Sequence, residues 1–126
     1  MAETKTSAFD DIAAMKPYPV WPGLLARAFH GERITLAVVD LAPGAEAAQH
    51  QHENEQLGLV LRGTIDFTVG DERRTLGPGE TYTIPSGVPH RAVGGPDGCT
   101  VVDVFAPVRE DWEKLERQEP SKPAWP

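Results

Sequence analysis

An all-β fold, a single barrel or jelly roll with short helices at its two ends, is predicted by three observations. Twelve glycines and twelve prolines break the 126-residue chain at short intervals. The runs between them are rich in Val, Ile, Leu, Thr and Phe, which is the texture of many short strands. Helical periodicity is confined to the termini. At this length one domain with one core is expected. We divide it into an N-terminal extension over 1–22, a barrel over 23–108, and a C-terminal helix with an irregular tail over 109–126.

The elements follow in order. Residues 7–16 are expected to form a short helix, stopped by the cluster Pro17, Pro19 and Pro22. Strands are expected over 34–41, 56–61, 64–69, 80–84 and 99–105, with shorter ones at 73–76 and 90–93. In 64–69 strict alternation places Ile65, Phe67 and Val69 on one face. Gly70-Asp71 reads as a two-residue hairpin turn, and Arg62-Gly63 as another. Residues 110–117 form the second expected helix: Trp112 and Leu115 share a face, and Glu110 with Lys114 and Glu113 with Arg117 make four-apart ion pairs. A closed or nearly closed antiparallel barrel is the economical way to pack so many short strands.

Composition narrows the partners. Forty per cent apolar and 25% charged residues describe a soluble globular chain. The net charge of -7, with no local run of Lys and Arg, disfavours nucleic acid and membrane partners. An anionic ligand would have to be drawn in by a buried positive centre. The single cysteine, Cys99, allows neither an internal disulfide nor a thiolate cluster, which fits a reducing compartment. Residues 1–11 have no apolar stretch of signal-peptide length, and no run of about 20 apolar residues occurs anywhere. The expected location is cytoplasmic.

The chemistry resides in the histidines. His50 and His52 are two apart, so in an extended strand both imidazoles leave the same face and can grip one ion. Gln56 has the same parity if the strand continues without a bulge, whereas Glu53 and Glu55 point the other way. Gln56 is therefore the candidate fourth ligand, and one bulge would reverse that choice. His90 follows Gly79, Pro85 and Gly87, whose backbone restrictions shape a sharp re-entry. His30, just before an expected turn at Gly31-Glu32, is assigned a structural role.

Gly44, His50, His52 and Gly63, followed by Gly79, Pro85, Gly87 and His90, resemble the two motifs that mark the cupin superfamily, with 15 residues between Gly63 and Gly79. The resemblance implies a single-domain cupin β-barrel holding one divalent transition metal ion: zinc, nickel, iron, manganese or copper. Two positions depart from the pattern, Gln56 in place of a glutamate ligand and Gly94 in place of an asparagine. The first has a chemical consequence. Three imidazoles and an amide are all neutral, so the ion's charge stays uncompensated and favours an anionic ligand. The neutral set also excludes calcium, which takes several carboxylates.

A second cluster lies near the C-terminus. Asp103 interrupts the apolar run Val101-Val102-Asp103-Val104-Phe105. A carboxylate there must either pair, with Arg109 as the available cation, or face a polar cavity. In the second case Asp103 is a general acid or base, Phe105 on the same face is an apolar wall, and Arg109 takes a substrate carboxylate in two hydrogen bonds.

The stretch from Asp103 through Phe105, Arg109 and Asp111 to Trp112, together with Glu55-Gln56, resembles the small cupins of pectin and alginate breakdown that open the ring of unsaturated uronates. That resemblance implies metal anchoring by His50, His52, Gln56 and His90, proton transfer by Asp103, and substrate positioning by Arg109. The expected function is a metal-dependent lyase or isomerase acting on a small anionic sugar acid. The alternatives are a metal-dependent dioxygenase and a non-catalytic ligand-binding protein. Leu57, Leu59 and Leu61 suggest an apolar outer face, covered either by a second copy in a homodimer or by the N-terminal segment.

Overall fold

The computed structural model describes residues 7–126. Residues 1–6, over which no signal-peptide stretch is expected, lie outside the described residues. Eight strands form one antiparallel sheet: β1 Tyr18–Trp21, β2 Leu24–His30, β3 Thr35–Leu41, β4 Glu46–His50, β5 Glu55–Val69, β6 Glu72–Leu76, β7 Thr81–Ile84 and β8 His90–Ala106. The order is β1-β2-β3-β8-β5-β6, with β4 on β8 and β7 on β5. The ladder does not close on itself, so the architecture is a jelly roll rather than a sealed barrel.

Two long strands make the fold. The first part of β8 pairs with β4 and with the second part of β5, through Val93↔Asp66 and His90↔Val69. Its second part pairs with β3 and with the first part of β5, through Asp103↔Ala37 and Asp103↔Gly58. Each long strand therefore serves both halves of the roll, and the apolar faces close on one core that includes Leu24, Val39, Val60, Ile65, Phe67, Ile84, Val101 and Phe105.

These long strands correct the turn expected at Arg62-Gly63. The strand continues through it with register shifts between Val60 and Arg62 and between Gly63 and Ile65. Gly63 has φ +72°, and a Cβ there would lie 2.1 Å from the Gly98 carbonyl oxygen. The glycine is a bulge that bends the strand from one half of the roll into the other. The segments expected at 56–61 and 64–69 are consequently one strand, and so are those at 90–93 and 99–105. Gly70-Asp71 does turn, with Gly70 at φ +56°.

Three strands escaped the sequence. β1 lies within the segment read as an extension, where its prolines looked like terminators; as an edge strand it tolerates Pro19. The β2 sequence Leu-Leu-Ala-Arg-Ala-Phe-His and the β4 sequence Glu-Ala-Ala-Gln-His contain poor strand formers; burial between β1 and β3 overrides this in β2, whereas β4, with only Ala47 buried, is held by its pairing with β8.

Both terminal helices are shorter than expected. The first is a 3-10 turn at Ile12–Ala14, whose Ala13 N–H donates to Asp11 Oδ1 at 2.9 Å. Phe9 is 87% exposed, so no apolar face anchors a longer helix. The second, α1, spans Glu110–Glu113. Arg117 does not pair with Glu113 as expected; it donates to the carbonyls of Lys16 and Ala28 and stacks on Tyr18, which draws the chain out of the helix. The irregular tail is strapped to the outer face, where Arg27 donates to the Ser121 carbonyl and Asp40 accepts from the Ala124 N–H. No helix among the described residues is long and apolar enough to cross a membrane.

Candidate metal centre and cavity

Strand register brings the first pair of histidines together. His50 ends β4 and pairs directly with His90, which begins β8. His52 follows in the connection to β5, held by its carbonyl, which accepts from the Gly87 N–H at 2.9 Å. One ring nitrogen from each of His50, His52 and His90 falls within a group spanning no more than 4.8 Å. The ring centroids lie 4.2 Å apart for His50 and His90 and 4.8 Å for His52 and His90.

The backbone decides which nitrogens face inward. His50 Nδ1 lies 2.7 Å from the Ala48 carbonyl, His52 Nδ1 2.8 Å from that of Asn54, and His90 Nδ1 2.9 Å from that of Val88. A carbonyl can only accept, so each Nδ1 carries the hydrogen and each Nε2 presents a lone pair. This is how metal-ligating imidazoles are oriented in general. Burial pushes His90 down to about 4 and also lowers His52, with the nearby Arg109 charge adding to the effect on His52. Both rings are therefore neutral and ready to ligate at neutral pH.

Gln56 arrives by a different route from the one its parity suggested. The chain bends at Glu53-Asn54 rather than running on as a strand, and β5 restarts at Glu55. Asn54 fixes the bend by donating to the Pro107 carbonyl at 2.6 Å. Gln56 is nonetheless buried while Glu55 is exposed, and Gln56 Oε1 lies 3.1 Å from His52 Nε2. With the hydrogen on Nδ1, these two atoms are both lone-pair donors. Such a pair is relieved by a cation placed between them, so the donor set fits a divalent transition metal.

Asp103 and Phe105 point from β8 into the same cavity, which measures about 290 Å³ and is lined also by the three histidines, Gln56, Trp21 and Arg109. Burial pushes the Asp103 carboxyl up to about 6, although hydrogen bonds from Tyr82 and Gln56 and the Arg109 charge work against the rise. Tyr82 donates to Asp103 Oδ1 at 2.5 Å. The amide of Gln56 thus has its NH₂ toward Asp103 and its oxygen toward His52.

The alternative of an Asp103 to Arg109 ion pair is not realised. Arg109 pairs instead with Asp111, through Nε at 2.9 Å and Nη2 at 2.8 Å, and its guanidinium lies between Phe105 and Trp112 at 4.7 and 4.2 Å from their ring centroids. This engages one edge of the fork. The Nη1 and Nη2 edge retains N–H groups enough to bind a carboxylate bidentately. His30 has the structural role expected, between Thr35 Oγ1 at 2.8 Å and the Tyr18 hydroxyl at 3.2 Å.

Tyr82, Asp111, Trp112, Trp21 and Asn54 were missed as site residues. One signal was available for Tyr82: it alternates with Thr81 and Thr83 beside Ile84, so it belongs on the inner face of β7.

A jelly roll with three convergent imidazoles over an internal cavity defines the class. The cupin domain model matches residues 37–105, more than half of the chain, and the chain belongs to the cupin family. It is similar to the pectin degradation protein KdgF of Dickeya dadantii (strain 3937), with 28% identity over 80 residues, 63% of this chain and 73% of that protein. Among solved structures it resembles KdgF from Halomonas sp., at 30% identity and a TM-score of 0.77, covering 84% of this chain and 98% of the other. A cupin of the RmlC-like type from Shewanella frigidimarina matches at 25% identity with the same TM-score, over 84% of this chain and 96% of its own.

Proposed function

We propose that this protein is a metal-dependent isomerase that opens the ring of a small unsaturated sugar acid, converting a 4,5-unsaturated monouronate to its linear keto form. The observation that carries the reading is that a buried carboxyl, Asp103, and a cation, Arg109, line the same cavity as three convergent imidazoles. The likeness to the KdgF proteins supports it. A cavity of about 290 Å³ suits one monosaccharide rather than an oligomer.

In this reading His50, His52, Gln56 and His90 hold one divalent transition metal ion, which supplies Lewis-acid polarisation of a substrate oxygen. The remaining chemistry is an internal rearrangement. The bond from C1 to the ring oxygen breaks, C1 becomes an aldehyde, and the enol ether electrons form a ketone at C5 while C4 gains a proton. One proton leaves the C1 hydroxyl and one arrives at C4, so no redox partner is needed. Asp103, whose carboxyl burial pushes up to about 6, can take the first proton and return the second. Arg109 anchors the substrate carboxylate through its free edge, and Phe105 and Trp21 wall the sugar ring.

The test is the loss of ultraviolet absorbance when metal-loaded protein meets unsaturated galacturonate. Steady loss is expected. Oxygen uptake in an electrode assay without that loss would favour a dioxygenase, and absence of both would favour a ligand-binding role. Gln56→Ala is expected to lower metal affinity at least about tenfold, since even loss of a group that only orients a ligand typically costs about 10–100-fold. Unchanged occupancy on titration with metal would remove Gln56 from the ligand set.

We further place the protein in the cytoplasm as a homodimer. On the outer face of the sheet Leu36 and Leu57 flank Val104, and Val102 pairs with Leu59. Leu57 is 51% exposed. Light scattering is expected to give twice the chain mass, falling to one chain for Leu57→Glu; the same mass for both would place the contact elsewhere or show a monomer.

A further inference from the structure

Gly58 in β5 is paired on one side with Tyr82 of β7 and on the other with Asp103 of β8. Residues paired directly across an antiparallel sheet share a face, so the three positions form one row across the interior. Tyr82 and Asp103 are two strand spacings apart, roughly 9–10 Å at the backbone, and ordinary side chains on such positions do not meet over an intervening residue.

Here the intervening side chain is absent. A Cβ built on Gly58 would lie 2.0 Å from Tyr82 Cζ and 2.4 Å from its hydroxyl oxygen. The phenol ring therefore lies flat over bare backbone, and its hydroxyl reaches Asp103 Oδ1 at 2.5 Å, a length found where a hydroxyl donates to a carboxylate. Phe67 backs the ring, with centroids 4.3 Å apart. Tyr82 and Asp103 are both buried.

We infer that Tyr82, laid across Gly58, is a positioning residue that fixes the rotation of the Asp103 carboxyl toward the cavity. This rests on the proposed proton-transfer role of Asp103. The Tyr82 hydroxyl anchors one side of the carboxyl and the Gln56 amide lies on another, so the group is held in one orientation at the cavity wall. Glycine at 58 is then a requirement of this contact, because any side chain there would lift the ring from its place.

Tyr82→Phe keeps the ring and removes the anchor. Its kcat on the unsaturated uronate is expected to fall about tenfold, with KM within about twofold and metal stoichiometry and melting temperature close to those of the parent. Gly58→Ala, which displaces the ring while keeping the hydroxyl, is expected to lower kcat in the same way. A Tyr82→Phe protein with unchanged kcat, or one whose KM rises by as much as its kcat falls, would overturn the inference. A second measurement separates it from the proposed activity. In proton NMR the wild-type protein is expected to show a downfield hydroxyl resonance that disappears in Tyr82→Phe and moves upfield in Asp103→Asn, where the acceptor is neutral. If the wild type fails to open the uronate ring, the activity reading fails while this resonance still decides whether the pair exists; its absence from the wild type overturns the pair.

Discussion

Asp103→Asn is expected to lower turnover of the unsaturated uronate by about a hundredfold or more while leaving one metal ion per chain. The size follows from what one positioned acid or base contributes, about 10²–10⁴ in rate. Asparagine has nearly the shape of aspartate, so the carboxamide can still accept from Tyr82, but it can neither take a proton from the C1 hydroxyl nor return one to C4. Metal retention is expected because the three imidazoles owe their orientation to the Ala48, Asn54 and Val88 carbonyls and not to Asp103. The measurements are the ultraviolet assay, metal analysis and a thermal melt on one preparation. Loss of cooperative melting in Asp103→Asn would mark the carboxyl as a structural group, and undiminished turnover would transfer proton movement to another residue.

The centre was legible because its parts are local. His50 and His52 share a face by period two, and His90 follows a proline and glycine turn that can hardly do anything but reverse the chain. Asp103 and Phe105 were placed together by the same parity, because β8 runs without a break through them. The side that Gln56 faces was expected from a wrong premise: no strand links it to His52, and the bend at Glu53-Asn54 happens to preserve that side. What stayed hidden depends on pairing. Nothing in the sequence near Tyr82 announces Asp103, since the two meet only after β7 and β8 have both docked on β5. Gly58 was the clue in plain view, a glycine inside an apolar strand where another backbone or side chain must come close. Asp111 escaped for the opposite reason. Only Asp103 was weighed as a partner for Arg109, and the turn into α1 instead brings Asp111, two residues away, onto its guanidinium.

His90→Ala is expected to abolish stoichiometric binding of a divalent transition metal, and with it the stabilisation that metal brings. His90 is 4% exposed and its ring lies closest to both other imidazoles, so its removal leaves His50 and His52 with Gln56 around an open gap. Metal that binds the folded chain and not the unfolded one stabilises it by about 4 kcal/mol at a thousandfold excess over Kd. For a domain of this size each kcal/mol moves Tm by roughly 3–5 °C, so adding metal to the chelated wild type should raise Tm by about 10–20 °C. The His90→Ala protein should melt at the same temperature with and without metal. The comparison within each protein matters, because deleting a buried ring also leaves a cavity that lowers stability whether or not metal is present. A variant that still binds one ion per chain and still gains stability from it would show that His50, His52 and Gln56 suffice, and the converging geometry of the third imidazole would then need another explanation.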